Sequence, residues 1–393
     1  MAADPLTVTP RIAIWPWLTK GVKIAFDPRK LILAALGIGL TGIGWFLIDS
    51  GLAPKVPPRV AQDSGAPTWL MPESESASGQ IAGTIFPNTG LGGPGAKRST
   101  GDLMALETSR VFLPVRVFVM PWLSLFQTEI TWVQFAHASL AGLWTTIVWG
   151  IFGGAIARIA VVEVATIEQS GLISSLKFAI RRAYALIAAP LAPLLIVGMF
   201  AIPGIILGAI SRLGAFGETI AGSLGFIPLL AAVPITIVLL ALATTWPLMH
   251  LTVVAEGEDV FDALSRSFSY LSQRTGRYVI LILLAGAFGL VGESLLTLIA
   301  YLVMNLAAWT VSLSARPGDA AIALGANGPI LALWVKLIDL TVLAWSFSYL
   351  WSASAVIYLI LRNEVDGTPT HDIYFPSHEA DTFAGEPVAA VSE

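Results

Sequence analysis

No cysteine occurs in the 393 residues, so disulfides, thiolate nucleophiles and cysteine-ligated zinc or iron-sulfur centres are excluded from the outset. Charge is almost as scarce. Only 12% of the residues are Asp, Glu, Lys or Arg, against roughly 25% in an ordinary soluble domain, and a soluble fold of this length would lack the polar residues to coat its surface. The net charge of −4 sits mostly at one end and leaves no basic groove, so nucleic acid is not expected as a partner. Catalytic sets are missing as well: no Ser/His/Asp arrangement, no His-Glu-x-x-His element and no carboxylate pair in a plausible pocket. The four histidines, His137, His250, His371 and His378, are scattered. The two on the polar tail, beside Asp372 and Glu379, match no known metal-site spacing. No cofactor and no metal are expected, and the chain reads as a non-enzyme.

What is present in excess is apolar: 55% of the residues are hydrophobic. The first long run begins only after Arg11, Lys20, Lys23, Arg29 and Lys30, which suits a retained anchor better than a cleaved signal. Asp27 and Pro28 offer a helix start, with Asp accepting from orphan N–H groups and Pro tolerated at the first helical position. Residues 31–48 are then 18 uncharged positions, about 27 Å of helix against a hydrocarbon layer of about 30 Å. Residues 1–30 form a cytoplasmic N-terminal segment in this scheme, and 31–48 the first transmembrane helix.

Residues 49–116 change character, with Pro, Gly and Ser gathered at 54–58, 73–79 and 90–95. Such composition cannot bury enough apolar surface to offset its ordering entropy, and a flexible extracytoplasmic loop is expected. The glycine run at 90–95 lacks the Gly-Lys-Ser/Thr of a phosphate loop. Beyond it, residues 130–157, 183–211, 219–255 and 340–361 carry no charge, and 278–315 carries only Glu293. Two of these stretches exceed what one span needs, so each is expected to add an interfacial or re-entrant piece. The fold class expected is all-α: a polytopic transmembrane helical bundle of about six spans, with residues 117–362 as its membrane domain. Prolines 190, 193, 203, 228, 234 and 247 fall inside the apolar stretches, and Trp45, Trp122, Trp132, Trp246 and Trp309 fall near proposed span ends, where an amphipathic ring favours the headgroup level. Lys and Arg cluster in the alternate short loops that share a side with the N-terminus, including Arg158, Lys177, Arg181, Arg182, Arg266, Arg274, Arg277 and Arg362. Both termini are therefore expected to be cytoplasmic.

Two of those inner loops share a pattern. After Asp259, a plausible cap, apolar residues recur at Val260, Phe261, Leu264, Phe268 and Leu271, one face of a helix. After Ser170 or Gly171 the same offsets recur 88 residues earlier at Leu172, Ile173, Leu176, Ile180 and Ala183. Ser174, Lys177 and Arg181 fall where Asp262, Ser265 and Ser269 do, and Gly198 where Gly286 does. Two cytoplasmic amphipathic helices in a parallel internal repeat, with units at about 130–210 and 218–300, are expected. Asp259, Asp262, Ser265 and Arg266 are the candidate residues of the second helix.

The run from Glu256 to Tyr270, EGEDVFDALSRSFSY, closely resembles the signature of a group of bacterial multi-span membrane proteins in which an EGxDxFDALSRS element sits between two hydrophobic spans. The opening Asp27-Pro-Arg-Lys-Leu31 and the closing Leu361-Arg-Asn-Glu-Val-Asp-Gly367 are similar to that group's flanking features. More distantly the chain resembles the membrane region attached to some glycerophosphodiester phosphodiesterases, without a catalytic domain of that kind. The resemblance implies a fold type and supplies no catalytic residue.

Within the apolar stretches the candidate polar residues are Glu293, Lys336 and Asp339. Lys336 and Asp339, three apart, can pair on one helix face. Glu293 follows Gly286, Gly289 and Gly292, whose small side favours close helix approach. Residues 363–393 hold seven acidic residues and no Lys or Arg, which suits a disordered tail or a contact for a basic partner. The function expected is that of an inner-membrane protein that binds or organises, with the lipid bilayer and a protein on the cytoplasmic face as the candidate partners. A transporter or permease, and an accessory to lipid metabolism, are the alternatives.

Overall fold

A computed structural model describes residues 14–52, 109–127, 130–166, 169–313 and 329–375, and among them every regular element is helical. In chain order the helices are α1 Ile14–Ile24, α2 Pro28–Leu52, α3 Leu113–Leu123, α4 Trp132–Ala165, α5 Leu172–Arg181, α6 Ala183–Ser211, α7 Ala215–Ser223, α8 Phe226–Glu256, α9 Val260–Gln273, α10 Thr275–Ser312 and α11 Pro329–Asp366. Short 3₁₀ turns at Arg110–Phe112 and Ser124–Phe126 bracket α3. Six of these, α2, α4, α6, α8, α10 and α11, are long and apolar enough to cross a membrane, in agreement with the six expected spans.

Local chemistry sets the helix starts. The Asp27 carboxylate accepts the Arg29 N–H at 2.9 Å and pairs with its guanidinium at 2.5 Å, with Pro28 as the first helical residue. Burial alone would raise that carboxyl; the hydrogen bonds from Arg29 outweigh it and hold the group below its ordinary value. Thr131 opens α4 in a capping box with Gln134. Asp259 opens α9 as expected, accepting the N–H groups of Phe261 and Asp262 at 2.9 and 3.1 Å.

Successive long helices run antiparallel. Lys30 meets Glu163 at 2.7 Å at one end of the α2–α4 pair, and Asp49 meets His137 at 2.7 Å at the other. The short helices α5 and α9 each join two long ones, α4 to α6 and α8 to α10, and both lie at the end where Lys30 and Glu163 meet. Helices α4 and α11 form the axis: 78% and 83% of their most apolar windows are buried, against 0% for α8. Trp149 stacks on Phe347 at 4.3 Å, and Trp246 meets Trp351 edge-on at 5.5 Å. Glycines admit this packing, since a Cβ on Gly153 would lie 2.3 Å from the Trp351 ring.

Several expectations require correction. The loop expected over 49–116 is helical at both described ends, since α2 continues to Leu52 and the chain from Ser109 onward folds into the bundle; residues 53–108 lie outside the described residues. Trp45 and Trp246 are core residues rather than interfacial ones, and Trp122 packs over Gly142. Trp132 and Trp309 are exposed near helix ends. The tail expected from 363 starts inside α11 and stays docked to 375, where the Tyr374 N–H donates to Ala255 O at 2.7 Å and Arg158 donates to Tyr374 O at 2.7 Å. His378 and the rest of 376–393 lie outside the described residues. Gly286 packs beside Phe112 whereas Gly198 has open space around it, so these matched glycines do different work.

Candidate functional site

The residue that stands alone in its apolar stretch, Glu293, closes the start of a half-helix. Residues 109–126 dip into the bundle as a 3₁₀ turn followed by α3, only 11 residues long, with Pro114 in its first turn. A helix start leaves N–H groups without intrahelical acceptors, and Ser109 offers no cap of its own here because its hydroxyl points elsewhere. Glu293 of α10 supplies the acceptor. Its carboxylate takes the Ser109 hydroxyl at 2.5 Å, the Arg110 N–H at 2.7 Å and the Val111 N–H at 2.9 Å. A negative group at a helix N-terminus is favoured by the helix dipole as well as by the hydrogen bonds.

Arg110 extends the cluster to a third helix, its guanidinium meeting Asp339 of α11 at 2.5 Å, with both side chains largely buried. Glu293 and Asp339 thus lie in one site, bridged by Arg110. Lys336 does not join them: it is exposed, and the expected Lys336–Asp339 pair is replaced by Arg110–Asp339. The glycine spacing before Glu293 does allow close approach, since Gly289 abuts Tyr349 and Val111 and Gly292 abuts Trp345. Both carboxylates are engaged by donors, and among the described residues no group of three His, Asp or Glu is set to hold a metal ion.

The run from Glu256 to Ser267 builds the second polar centre. Glu256, the last residue of α8, takes the Tyr358 hydroxyl, the Arg266 guanidinium and, at 3.3 Å, the Arg362 guanidinium. Gly257 follows in the left-handed region at φ 70°, with the Tyr374 ring 2.8 Å from where a Cβ would stand, so only glycine fits. Ala263 and Ser267 are buried where α9 lies on the bundle, and the Tyr270 hydroxyl donates to Asp366. Of the four candidate residues on this helix, Asp259 caps it and Arg266 pairs inward with Glu256 and Glu258. Asp262 and Ser265 remain on the outer side. Burial opposes the charge on Arg266, but Glu256 and Glu258 overbalance it and raise its pKa. Burial raises the Glu258 carboxyl, and Asp262 pushes the same way against the pull of Arg266.

Sequence reasoning missed Ser109 and Arg110 because they follow a loop-like composition. The signal was there in residues 111–126, sixteen positions with Arg116 as the sole charge and a proline at 114. Comparison with protein-family models, curated proteins and solved structures finds no match.

Proposed function

We propose that the protein is a non-enzymatic, multi-pass component of a bacterial inner membrane, with both termini cytoplasmic, whose amphipathic helices engage lipid headgroups or a partner complex. One observation carries it: α5 turns Ile173, Lys177, Ile180 and Arg181 outward, and Tyr184 at the start of α6 continues the stripe. Exposed isoleucines beside two cations at the end of a span suit the boundary between acyl chains and anionic headgroups. Lys20, Lys23 and Arg274 are exposed at the same end, which supports a cytoplasmic side under the positive-inside rule.

The absence of native cysteine makes the test direct. A single cysteine at Ile173 carries an environment-sensitive dye in vesicles of zwitterionic lipid alone and of zwitterionic plus anionic lipid. Emission shifts further to the blue in the anionic vesicles, and Lys177→Glu with Arg181→Glu abolishes the difference. At about 1 kcal/mol per basic residue near an anionic surface, loss of the two cations alone lowers local anionic-lipid occupancy roughly thirtyfold, and the added carboxylates lower it further. Equal emission in both vesicles, unchanged by charge reversal, refutes the headgroup contact.

A transporter is the second reading, favoured by the half-helix N-terminus buried beside Glu293, Arg110 and Asp339, since broken helices line substrate paths in many carriers. Proton, sodium and potassium flux into vesicles holding the wild type or Glu293→Gln separates the two. Flux that falls while the variant stays folded supports transport, and no flux in either protein removes transport of these three cations.

A further inference from the structure

We infer that the cleft between α8 and α10 is a binding site for one acyl chain of a membrane lipid. The two helices are joined by α9, and the Tyr278 hydroxyl near the start of α10 reaches the middle of α8, donating to Thr244 O at 2.5 Å. From there they part, α8 packing along α6 while α10 packs against α11 and α1. The gap holds a cavity of 260 Å³, walled at the back by α11 and by the half-helix residues Val111, Phe112 and Val115.

The chemistry of the walls selects the occupant. The Tyr278 and Tyr349 hydroxyls are spent on Thr244 O and on Ala285 O at 2.6 Å, and the Thr244 hydroxyl bonds Leu240 O at 3.0 Å. A water needs two to four polar partners, whereas apolar cavities stay dry, and one of about 150 Å³ already accepts benzene. The surrounding segments are apolar enough to lie in hydrocarbon, so the molecules that reach this gap are lipid chains. On α10 the cleft runs from Tyr278 through Ile282 to Gly286, about 12 Å at 1.5 Å per residue, and closes where Gly289 abuts Tyr349 and Val111. The cleft is therefore lined chiefly by apolar groups, with Ser354 as its further hydroxyl, which suits a stretch of methylenes from one acyl chain. This site is separate from the α5 face, and Lys177→Glu with Arg181→Glu leaves its occupancy unchanged.

The test reconstitutes the full chain in vesicles containing a phospholipid with a diazirine in mid-chain, followed by photolysis and peptide mapping of the adducts. Adducts concentrate at buried cleft positions such as Leu248 and Ala285, 1% and 7% exposed, over outward positions such as Leu195 and Leu229, 74% and 72% exposed. Gly286→Leu and Ala243→Phe, filling the cleft from opposite walls, each cut the cleft yield by about tenfold, since every methylene denied burial weakens retention several-fold, while Leu229 stays constant. Cleft yields equal to those outside in the wild type, or unmoved by a filling variant that remains monodisperse, overturn the proposal. The wild-type comparison stands even where a filled variant does not fold.

Discussion

Replacing Glu293 by alanine removes the acceptor for three donors at once: the Ser109 hydroxyl, the Arg110 N–H and the Val111 N–H. Ser109 and Val111 are buried, so water reaches neither site readily. An unsatisfied buried donor costs about 1–3 kcal/mol. The Ser109 hydroxyl can rotate to another acceptor and contributes least. Two N–H groups at about 1–1.5 kcal/mol each, plus about 0.3–1 kcal/mol for the lost negative charge at a helix start, give about 2–4 kcal/mol for Glu293→Ala. Glu293→Gln keeps one acceptor oxygen but sets an amide N–H against a backbone N–H, and loses about 1–2 kcal/mol. The assay is reversible unfolding in mixed micelles, with the labelling rate of a single cysteine at Val115 as a local reporter. If the half-helix opens alone, 3 kcal/mol raises that rate on the order of a hundredfold. Stability within about 0.5 kcal/mol of the parent, the range of an inconsequential surface change, together with an unaltered labelling rate would refute the capping role.

Gly257→Ala suffers twice, from about 1–2 kcal/mol of left-handed backbone strain and from collision with the Tyr374 ring. Limited proteolysis after 367 is expected to accelerate in that variant while α8 stays protected. Gly153→Ala drives a methyl into Trp351, which Trp246 and His250 hold from other sides, and loses about 1–3 kcal/mol in the same unfolding assay. Gly39→Ala, with open space around it, gains about 0.5–1 kcal/mol. The lowered pKa of Asp27 means that its stabilisation is complete above the ordinary carboxylate value and fades as pH falls through the folded value. Asp27→Ala is therefore less stable than the parent by about 1 kcal/mol at neutral pH. That gap closes below the ordinary value of 3.8, as a pH series of unfolding midpoints shows.

The polar centres mark where sequence pattern and tertiary contact part company. Glu293 stood out because it interrupts an apolar run, and Asp259 because a capping residue precedes an amphipathic period; both signals are local, and both residues act as caps. The partner of Glu293 was not legible, because Ser109 and Arg110 lie 184 and 183 residues away behind a loop-like stretch. Spacing alone paired Lys336 with Asp339, yet a buried carboxylate takes the cation that the packing delivers, and here that is Arg110. The tryptophans show the same limit: a ring near a span end suits the interface, but Trp45 and Trp246 face neighbouring helices and are buried.

Apolar length, charge scarcity and local caps are properties of a segment, because a helix in a hydrocarbon layer satisfies its backbone within itself. They determined, from the sequence by itself, the all-α class, the six long helices and the two short amphipathic ones. Which helices form the axis, which cation meets which carboxylate, and that residues 109–126 fold back between the long helices were decided only by tertiary structure. Those outcomes depend on surfaces brought together from distant parts of the chain, through glycines that let tryptophans approach and through one carboxylate that a remote helix start could use.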